Sequence, residues 1–376
     1  MKAALWYGRH DIRLEDVPEP RPGPEDVVIR IDWCGICGTD LGEYQHGPLF
    51  IPVHEPHPLT GIKAPIILGH EFAGEIVEIG RNVRERKIGE EVGCDTILFC
   101  GHCFWCTRHQ YPLCSSLGAL GLHGHGGLAE YCVAPAYMCL PLTGQLTPEI
   151  APLAETLSVV VRALRRGRMQ IGETVVIIGA GAVGLLAVQL ARTTGARAVY
   201  VVEPSQHRRQ IAAQLGADVV LDPATMNVFE AITELTGGIG ADLALECAGH
   251  HTTIAMAIDL VRRGGRAVLV GIPHQKTHYN FAKLVMAEKE LIGSLSHVYD
   301  EDYSTAIHLL GDGRVQADSI ISHRIALTDI ITGGFERLGG GHEDVIKIIV
   351  SPFGEQRTEN KEQRVEKQEL KTGSLF

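Results

Sequence analysis

The chain has 376 residues, 45% hydrophobic and 21% charged, enough for two domains with cores of ordinary size. Its net charge of −11 argues against a surface for nucleic acid or anionic membrane. No apolar run reaches the ~18 residues of a membrane span and the N-terminus has no leader-like apolar core, so we expect a cytoplasmic protein whose ten cysteines serve metal rather than disulfides.

Up to about residue 35, short apolar runs (1–6, 27–31) flank a Pro/Gly turn cluster at 18–27, a pattern of irregular β structure. The segment GHEFAGEIVEIG, 69–80, continues it, with Phe72, Ile76, Val77 and Ile79 as strand positions. Residues 94–139 are rich in Cys, Gly and His. Strands then alternate with helices. We predict strands at 175–178, 199–202, 219–221, 243–246 and 267–270, and helices at 157–165, 183–193, 207–215 and 229–235. Such alternation means an α/β architecture with a doubly wound parallel sheet. After about residue 295 the pattern shifts, ending in the strand-like VIKIIV at 345–350. The tail, 354–376, is charged, nearly without large apolar residues, and reads as disordered or loosely helical.

The alternating region is organised around 175–203. A buried β-branched strand is followed by Gly179, Gly181, Ala182, Val183 and Gly184 in G-x-G-x-x-G spacing, then a helix, a strand and Glu203. The first glycine allows a tight turn, the second lets backbone approach a pyrophosphate, and the third lets helix pack on strand. The helix N-terminus favours an anion. Glu203, nineteen residues past Gly184, can accept from an adenosine ribose and would repel a 2′-phosphate, so NAD is favoured over NADP.

Cys100, Cys103, Cys106 and Cys114 follow one another at gaps of two, two and seven residues. One loop can wrap a tetrahedral ion with four such thiolates, the closed type of structural zinc site, which is our reading. An iron–sulfur cluster uses similar runs, and a nucleic-acid-binding knuckle would need the basic patch that this chain lacks. A second constellation is dispersed over WCGICGTD (Cys34, Cys37), LGHEF (His70, Glu71) and APLAETLSV (Glu155). Each piece has a plain structural reading, and spacing does not join them. Cys34, Cys94, Cys132, Cys139 and Cys247 lie in or beside apolar runs and read as structural.

Together, CGICGTD, GHEFAGEIVEIG, the four-cysteine lobe, GGLAEY, PLAETLSV and GAGAVG with Glu203 resemble the zinc-dependent medium-chain alcohol dehydrogenases, over about residues 1–350. The segment 46–71, with its HPLTG turn, is similar to the butanediol dehydrogenase subgroup of the polyol branch. The resemblance implies a β-rich GroES-like catalytic domain at 1–152, completed by 293–353, a Rossmann domain at 153–292, and a polar tail at 354–376. It implies two zinc ions per subunit: one structural, and one catalytic on Cys37, His70 and a carboxylate from Glu71 or Glu155. Thr39 matches a relay hydroxyl, but Gly42 stands where many relatives carry a histidine; His46, His57 or water is then expected to pass the proton on. Arg208 matches a basic residue near the adenosine ribose, with Arg209 beside it. Val270, Ile272, Ser294 and Leu295 resemble the segments that hold the nicotinamide, and Lys347 matches a basic residue near the cofactor phosphates, with a solvated strand edge as its plain reading. The implied activity is NAD-dependent oxidation of a secondary alcohol or vicinal diol, foremost (R,R)-2,3-butanediol to acetoin, by a homodimer or homotetramer. Sorbitol-type polyols and L-threonine are alternative substrates, and a non-catalytic nucleotide-binding protein of this fold is an alternative of another class.

Overall fold

The computed structural model describes residues 1–273 and 275–354; the predicted tail lies outside the described residues from 355 onward. The apolar run Thr174–Ile178 is fully buried because it lies inside a six-stranded parallel sheet. The strand order is Val219–Leu221, Ala198–Val202, Thr174–Ile178, Ala241–Glu246, Val261–Leu269, Glu290–Gly293. Alternate residues serve opposite faces. Val175, Ile177, Val201 and Leu245 pack with Leu157, Leu164, Leu185 and Leu186 on one side. Val176, Ile178, Val202 and Ala244 pack with Ile232, Ile254 and Ile258 on the other. Burial on both faces is why these strands are continuously apolar. The strand order reverses between Thr174–Ile178 and Ala241–Glu246, and such reversals open a crevice at the carboxyl ends of the strands.

A second, mixed sheet takes strands from both ends of the chain. Its order is Cys139–Pro141, Glu91–Cys94, Glu71–Ile79, Asp26–Gly35, Lys347–Ser351, Ile321–Ala326, with Tyr131–Pro135 also paired to Asp26–Gly35. Its core includes Ile29, Ile31, Phe72, Ile76 and Ile348. Helix α1 (Gly38–His46) leaves this sheet just after Gly35. Helix α2 (Leu153–Arg166) buries Leu157, Val160, Val161 and Leu164 against the parallel sheet and turns Glu155 and Thr156, in its first turn, toward the mixed one. Helix α3 (Ala182–Thr193) follows the glycine motif.

Two expectations need correction. Helix α2 begins four residues before the predicted start, because Pro152 at the N-cap breaks the preceding chain and the apolar pattern already starts at Leu153. The strand predicted at 267–270 runs Val261–Leu269, and a helix, His251–Leu260, precedes it unpredicted, its N-terminus capped by the His250 side chain accepting from Thr252 N–H. Among the described residues no helix is long and apolar enough to cross a membrane.

The glycines of the motif differ in what surrounds them. A Cβ at Gly184 would strike the Gly179 carbonyl oxygen, whereas one at Gly181 would meet nothing within 4 Å. Gly184→Ala is therefore expected to cost about 1–3 kcal/mol through overpacking. Gly181→Ala should change stability by less than about 0.5 kcal/mol. Urea denaturation of the two variants checks the contrast.

Candidate functional site

The two ends of the chain meet beside Gly35. Strand Asp26–Gly35 lies between Glu71–Ile79 and Lys347–Ser351, with Gly35 opposite Glu71 on one side and Ile349 on the other. A Cβ at position 35 would collide with the Glu71 carboxylate. The missing side chain leaves room for that carboxylate, which pairs with the Lys347 ammonium, 2.6 and 2.7 Å from its two oxygens. Glu71 is fully buried and Lys347 is 3% exposed. Thr156 Oγ1 donates to Glu71 at 2.9 Å. Burial disfavours the charge on Lys347, but Glu71 more than offsets it and the ammonium pKa lies above its ordinary value. Lys347 is thus neither a solvated strand edge nor free for phosphates; its ammonium is held by Glu71.

Cys37 is the N-cap of α1. Asp40, fully buried one turn later, accepts from the Cys37 backbone N–H at 3.0 Å and from His70 Nδ1 at 3.1 Å. A carboxylate only accepts, so Nδ1 carries the proton and Nε2 is left as a ligand. Burial works against charging His70, but Asp40 and Cys37 raise its pKa well above the usual histidine value. Thr96 Oγ1 donates to the His70 carbonyl at 3.1 Å. The donor atoms of Cys37, His70 and Glu71 lie within 4.8 Å of one another. One thiol, one imidazole and one carboxylate suit zinc with an open fourth position.

Glu155 lines the same cavity but lies outside that group. Its carboxylate is 3.7 Å from His297 Nδ1, and His297 Nε2 is 3.1 Å from Asp95 Oδ1. Burial raises the Glu155 pKa, with His297 and His70 pulling it back. The two glutamates differ: Glu71 is neutralised by a lysine, while Glu155 faces a fully buried histidine.

In the cysteine lobe, Sγ–Sγ separations are 3.5 Å (Cys103–Cys106), 3.9 Å (Cys100–Cys106) and 4.0 Å (Cys103–Cys114). All four sulfurs lie within 4.8 Å of one another. A tetrahedron with ~2.3 Å zinc–sulfur bonds has edges of about 3.8 Å, so the set fits a single zinc ion and is too tight to surround an iron–sulfur cluster. The N–H groups of Cys100 and Ser116 point at Cys114 Sγ. The other five cysteines are free; burial raises the thiol pKa of Cys34, Cys94, Cys132 and Cys247.

A cavity of about 560 Å³ joins the Cys37, His70 and Glu71 group to the crevice of the parallel sheet. Cys37, Thr39, His70, Glu71 and Glu155 line one part; Val183, Val270, Ile272, Ser294 and Leu295 line another. The fit to a dinucleotide is local. Gly181 caps α3 with no side chain and faces open space, so helix N–H groups stand free for a phosphate. The Glu203 carboxylate accepts from Ala180 N–H at 2.7 Å and Ser205 N–H at 3.0 Å, tying the glycine loop to the end of the second strand with lone pairs to spare. Ser294 Oγ is buried without a protein partner among the described residues. Arg208 donates to the Val345 carbonyl at 2.8 Å, and Arg209 to the Glu203 and Pro204 carbonyls beside Asp222.

Sequence reasoning missed the supporting groups: Asp40, Thr156, His297, and Glu43. Asp40 was legible as the N3 residue of a capping box. Glu43, fully buried on α1, accepts from Leu49, Phe50 and Ile51 N–H at 3.0, 2.5 and 3.1 Å. That clamp lays Leu49 over Gly42, where a Cβ would already meet Leu49 Cδ1 at 3.4 Å. A histidine side chain there would displace Leu49. Neither suggested substitute lines the cavity: His46 is exposed at the end of α1, and His57 bonds the Leu117 carbonyl.

Comparison with known proteins agrees with this geometry. The family described as the alcohol dehydrogenase GroES-like domain matches residues 23–144, and that described as zinc-binding dehydrogenase matches 182–312. The (R,R)-butanediol dehydrogenase of Bacillus subtilis is 37% identical over 356 residues, 94% of this chain and 100% of the relative. An L-threonine 3-dehydrogenase of Pyrococcus horikoshii is 34% identical, covering 91% and 95%. The solved structure of 2R,3R-butanediol dehydrogenase from Bacillus subtilis superposes with a TM-score of 0.87 at 35% identity, covering 93% of this chain and 99% of that one. The chain belongs to the zinc-dependent medium-chain alcohol dehydrogenases. It is an enzyme of the alcohol and diol dehydrogenase class, on the butanediol and polyol branch.

Two outcomes follow from the buried partners. Lys347→Met leaves the Glu71 carboxylate buried and unpaired, and should cost about 3–5 kcal/mol in denaturant unfolding. Asp40→Asn loses a ligand-orienting carboxylate and should weaken zinc retention about 10–100-fold in chelator competition.

Proposed function

We propose that this chain oxidises (R,R)-2,3-butanediol to acetoin, and reduces acetoin in return, with NAD as partner. The observation that carries the reading is the shared cavity, in which Cys37, His70 and Glu71 lie beside the crevice residues Val270, Ile272 and Ser294. Cys37, His70 and Glu71 would hold the catalytic zinc, with Glu155 as the carboxylate that can replace Glu71; Cys100, Cys103, Cys106 and Cys114 would hold the structural one. Bound zinc supplies a Lewis acid that lowers the pKa of a substrate hydroxyl. Nicotinamide supplies the hydride acceptor. The chain's residues position and relay. Thr39, whose Oγ1 is 3.8 Å from Cys37 Sγ, takes the hydroxyl proton and hands it toward the nicotinamide ribose. Leu49 over Gly42 closes the route that a histidine would offer, so water carries the proton outward.

NAD is favoured over NADP because a carboxylate, Glu203, ends the second strand beside the glycine loop, where it would accept from a ribose hydroxyl and repel a 2′-phosphate, and both nearby arginines are committed to carbonyls. We assign the catalytic domain to 1–152 with 293–353, and the nucleotide domain to 153–292; the mixed sheet built from both chain ends supports this. We assign the protein to the cytoplasm, in keeping with ten cysteines that form no disulfide. Self-association as a dimer or tetramer is supported by exposed Phe281, Val285 and Met286 near the edge strand Glu290–Gly293. L-threonine is the second reading, from the threonine dehydrogenase at 34% identity.

The test is NADH formation from each butanediol stereoisomer, sorbitol and L-threonine. We expect the R,R isomer to lead; a lead for sorbitol or threonine discards the substrate, and no turnover with zinc bound discards the catalytic reading. Chelation should abolish activity and added zinc restore it. Thr39→Val should lower kcat about 100-fold while leaving NADH binding, read by fluorescence, unchanged.

A further inference from the structure

We infer that His123 recognises the substrate's second oxygen, the one on the carbon next to the reacting centre. The inference rests on the diol reading above and names the group that makes a diol preferred.

His123 lines the cavity in company with Leu49, Phe50, Leu117 and Leu122. In that apolar company an imidazole needs a reason. Its tautomer is fixed by the backbone: Nδ1 accepts from Ala119 N–H at 3.2 Å, so a neutral ring carries its proton on Nε2. The neighbouring His57 ring, 4.6 Å away, is fixed likewise. His57 Nε2 is 3.1 Å from the Leu117 carbonyl, which only accepts, and His57 Nδ1 accepts from Leu59 N–H at 3.4 Å. Burial and His57 bring the His123 pKa down to about 4, which keeps the ring uncharged. Thr60 Oγ1 donates to the His123 carbonyl at 2.5 Å and ties this loop to the long 46–71 connection. His123 Nε2–H therefore has no partner among the described residues, and it is not among the buried unpartnered atoms, so it remains accessible.

A neutral N–H donor in a leucine-lined wall favours an oxygen there and penalises a methylene. Hydroxyl and carbonyl both accept, so the same group serves diol oxidation and hydroxyketone reduction. The ammonium of threonine cannot accept, so threonine could meet this donor only through its carboxylate, whose oxygens lie one atom farther from the reacting centre than the diol's second oxygen.

The experiment compares kcat/KM for (R,R)-2,3-butanediol and 2-butanol in the wild type, His123→Leu and His123→Gln, with NADH binding as the check of folding. We expect the diol-to-butanol ratio to fall about 10-fold or more in His123→Leu, with 2-butanol little changed, and to recover in His123→Gln, which keeps a donor. An unchanged ratio, or an equal loss on both substrates, overturns the role of His123 and leaves the diol reading standing. A wild type that prefers threonine or 2-butanol overturns both. If His123→Leu does not bind NADH, His123→Met, also without a donor, is judged by the same ratio.

Discussion

The structure depends first on a buried ion pair. Glu71 and Lys347 lie 276 residues apart and meet across Gly35, the one strand position between them that offers no side chain. Two buried charges are costly to desolvate, and the pair is tolerable because each group is also hydrogen-bonded: Glu71 by Thr156, Lys347 by the Ile36 carbonyl at 3.4 Å. The pair fixes the C-terminal strand in register with the N-terminal sheet and orients Glu71 beside Cys37 and His70. Loss of either partner exposes the site to the full cost of a lone buried charge, so the same contact that closes the sheet also shapes the ligand set.

Around that pair the site is built by backbone-directed carboxylates. Asp40 binds a Cys37 N–H and a His70 ring at once, which preorganises two candidate zinc ligands from segments 33 residues apart. Glu43 gathers three consecutive N–H groups and fixes the start of the cavity wall. Both lie on α1, immediately after the strand that carries Gly35. The parallel sheet contributes in another way: its order reverses between two strands, and the crevice so formed opens onto the same cavity. Helix α2 joins the two, packing its apolar stripe on the parallel sheet while its first turn supplies Thr156 and Glu155.

What the sequence made legible was local. The glycine motif, the strands from 175 to 246 and the close-set cysteines each carry their signal within about thirty residues, because turn sterics, alternation and chelate spacing act over that range. The dispersed candidate ligands were joined by family resemblance, and their geometry shows why spacing could not join them: Cys37, His70 and Glu71 come together through strand register, which no local pattern encodes. Resemblance assigns Lys347 to the cofactor phosphates and its strand position reads as a solvated edge; only the pairing of its strand with Asp26–Gly35 puts it against Glu71. His297 and His123 carried no sequence signal: His297 meets Asp95 from 202 residues away, and His123 meets the strand residue Ala119 only through the turn between them. The start of α2 lies earlier than its pattern suggests because its first turn mixes the core residues Leu153 and Ala154 with the site residues Glu155 and Thr156, which interrupt the apolar run.

The central claim is that two unlike donor sets in this chain hold two zinc ions. Zinc K-edge X-ray absorption on the metal-loaded protein, with zinc and protein quantified together, tests it most directly. The account predicts two zinc ions per chain and five sulfur ligands shared between them, four from the cysteine lobe and one from Cys37, with nitrogen and oxygen completing the second site. One zinc ion per chain surrounded by sulfur alone would contradict it.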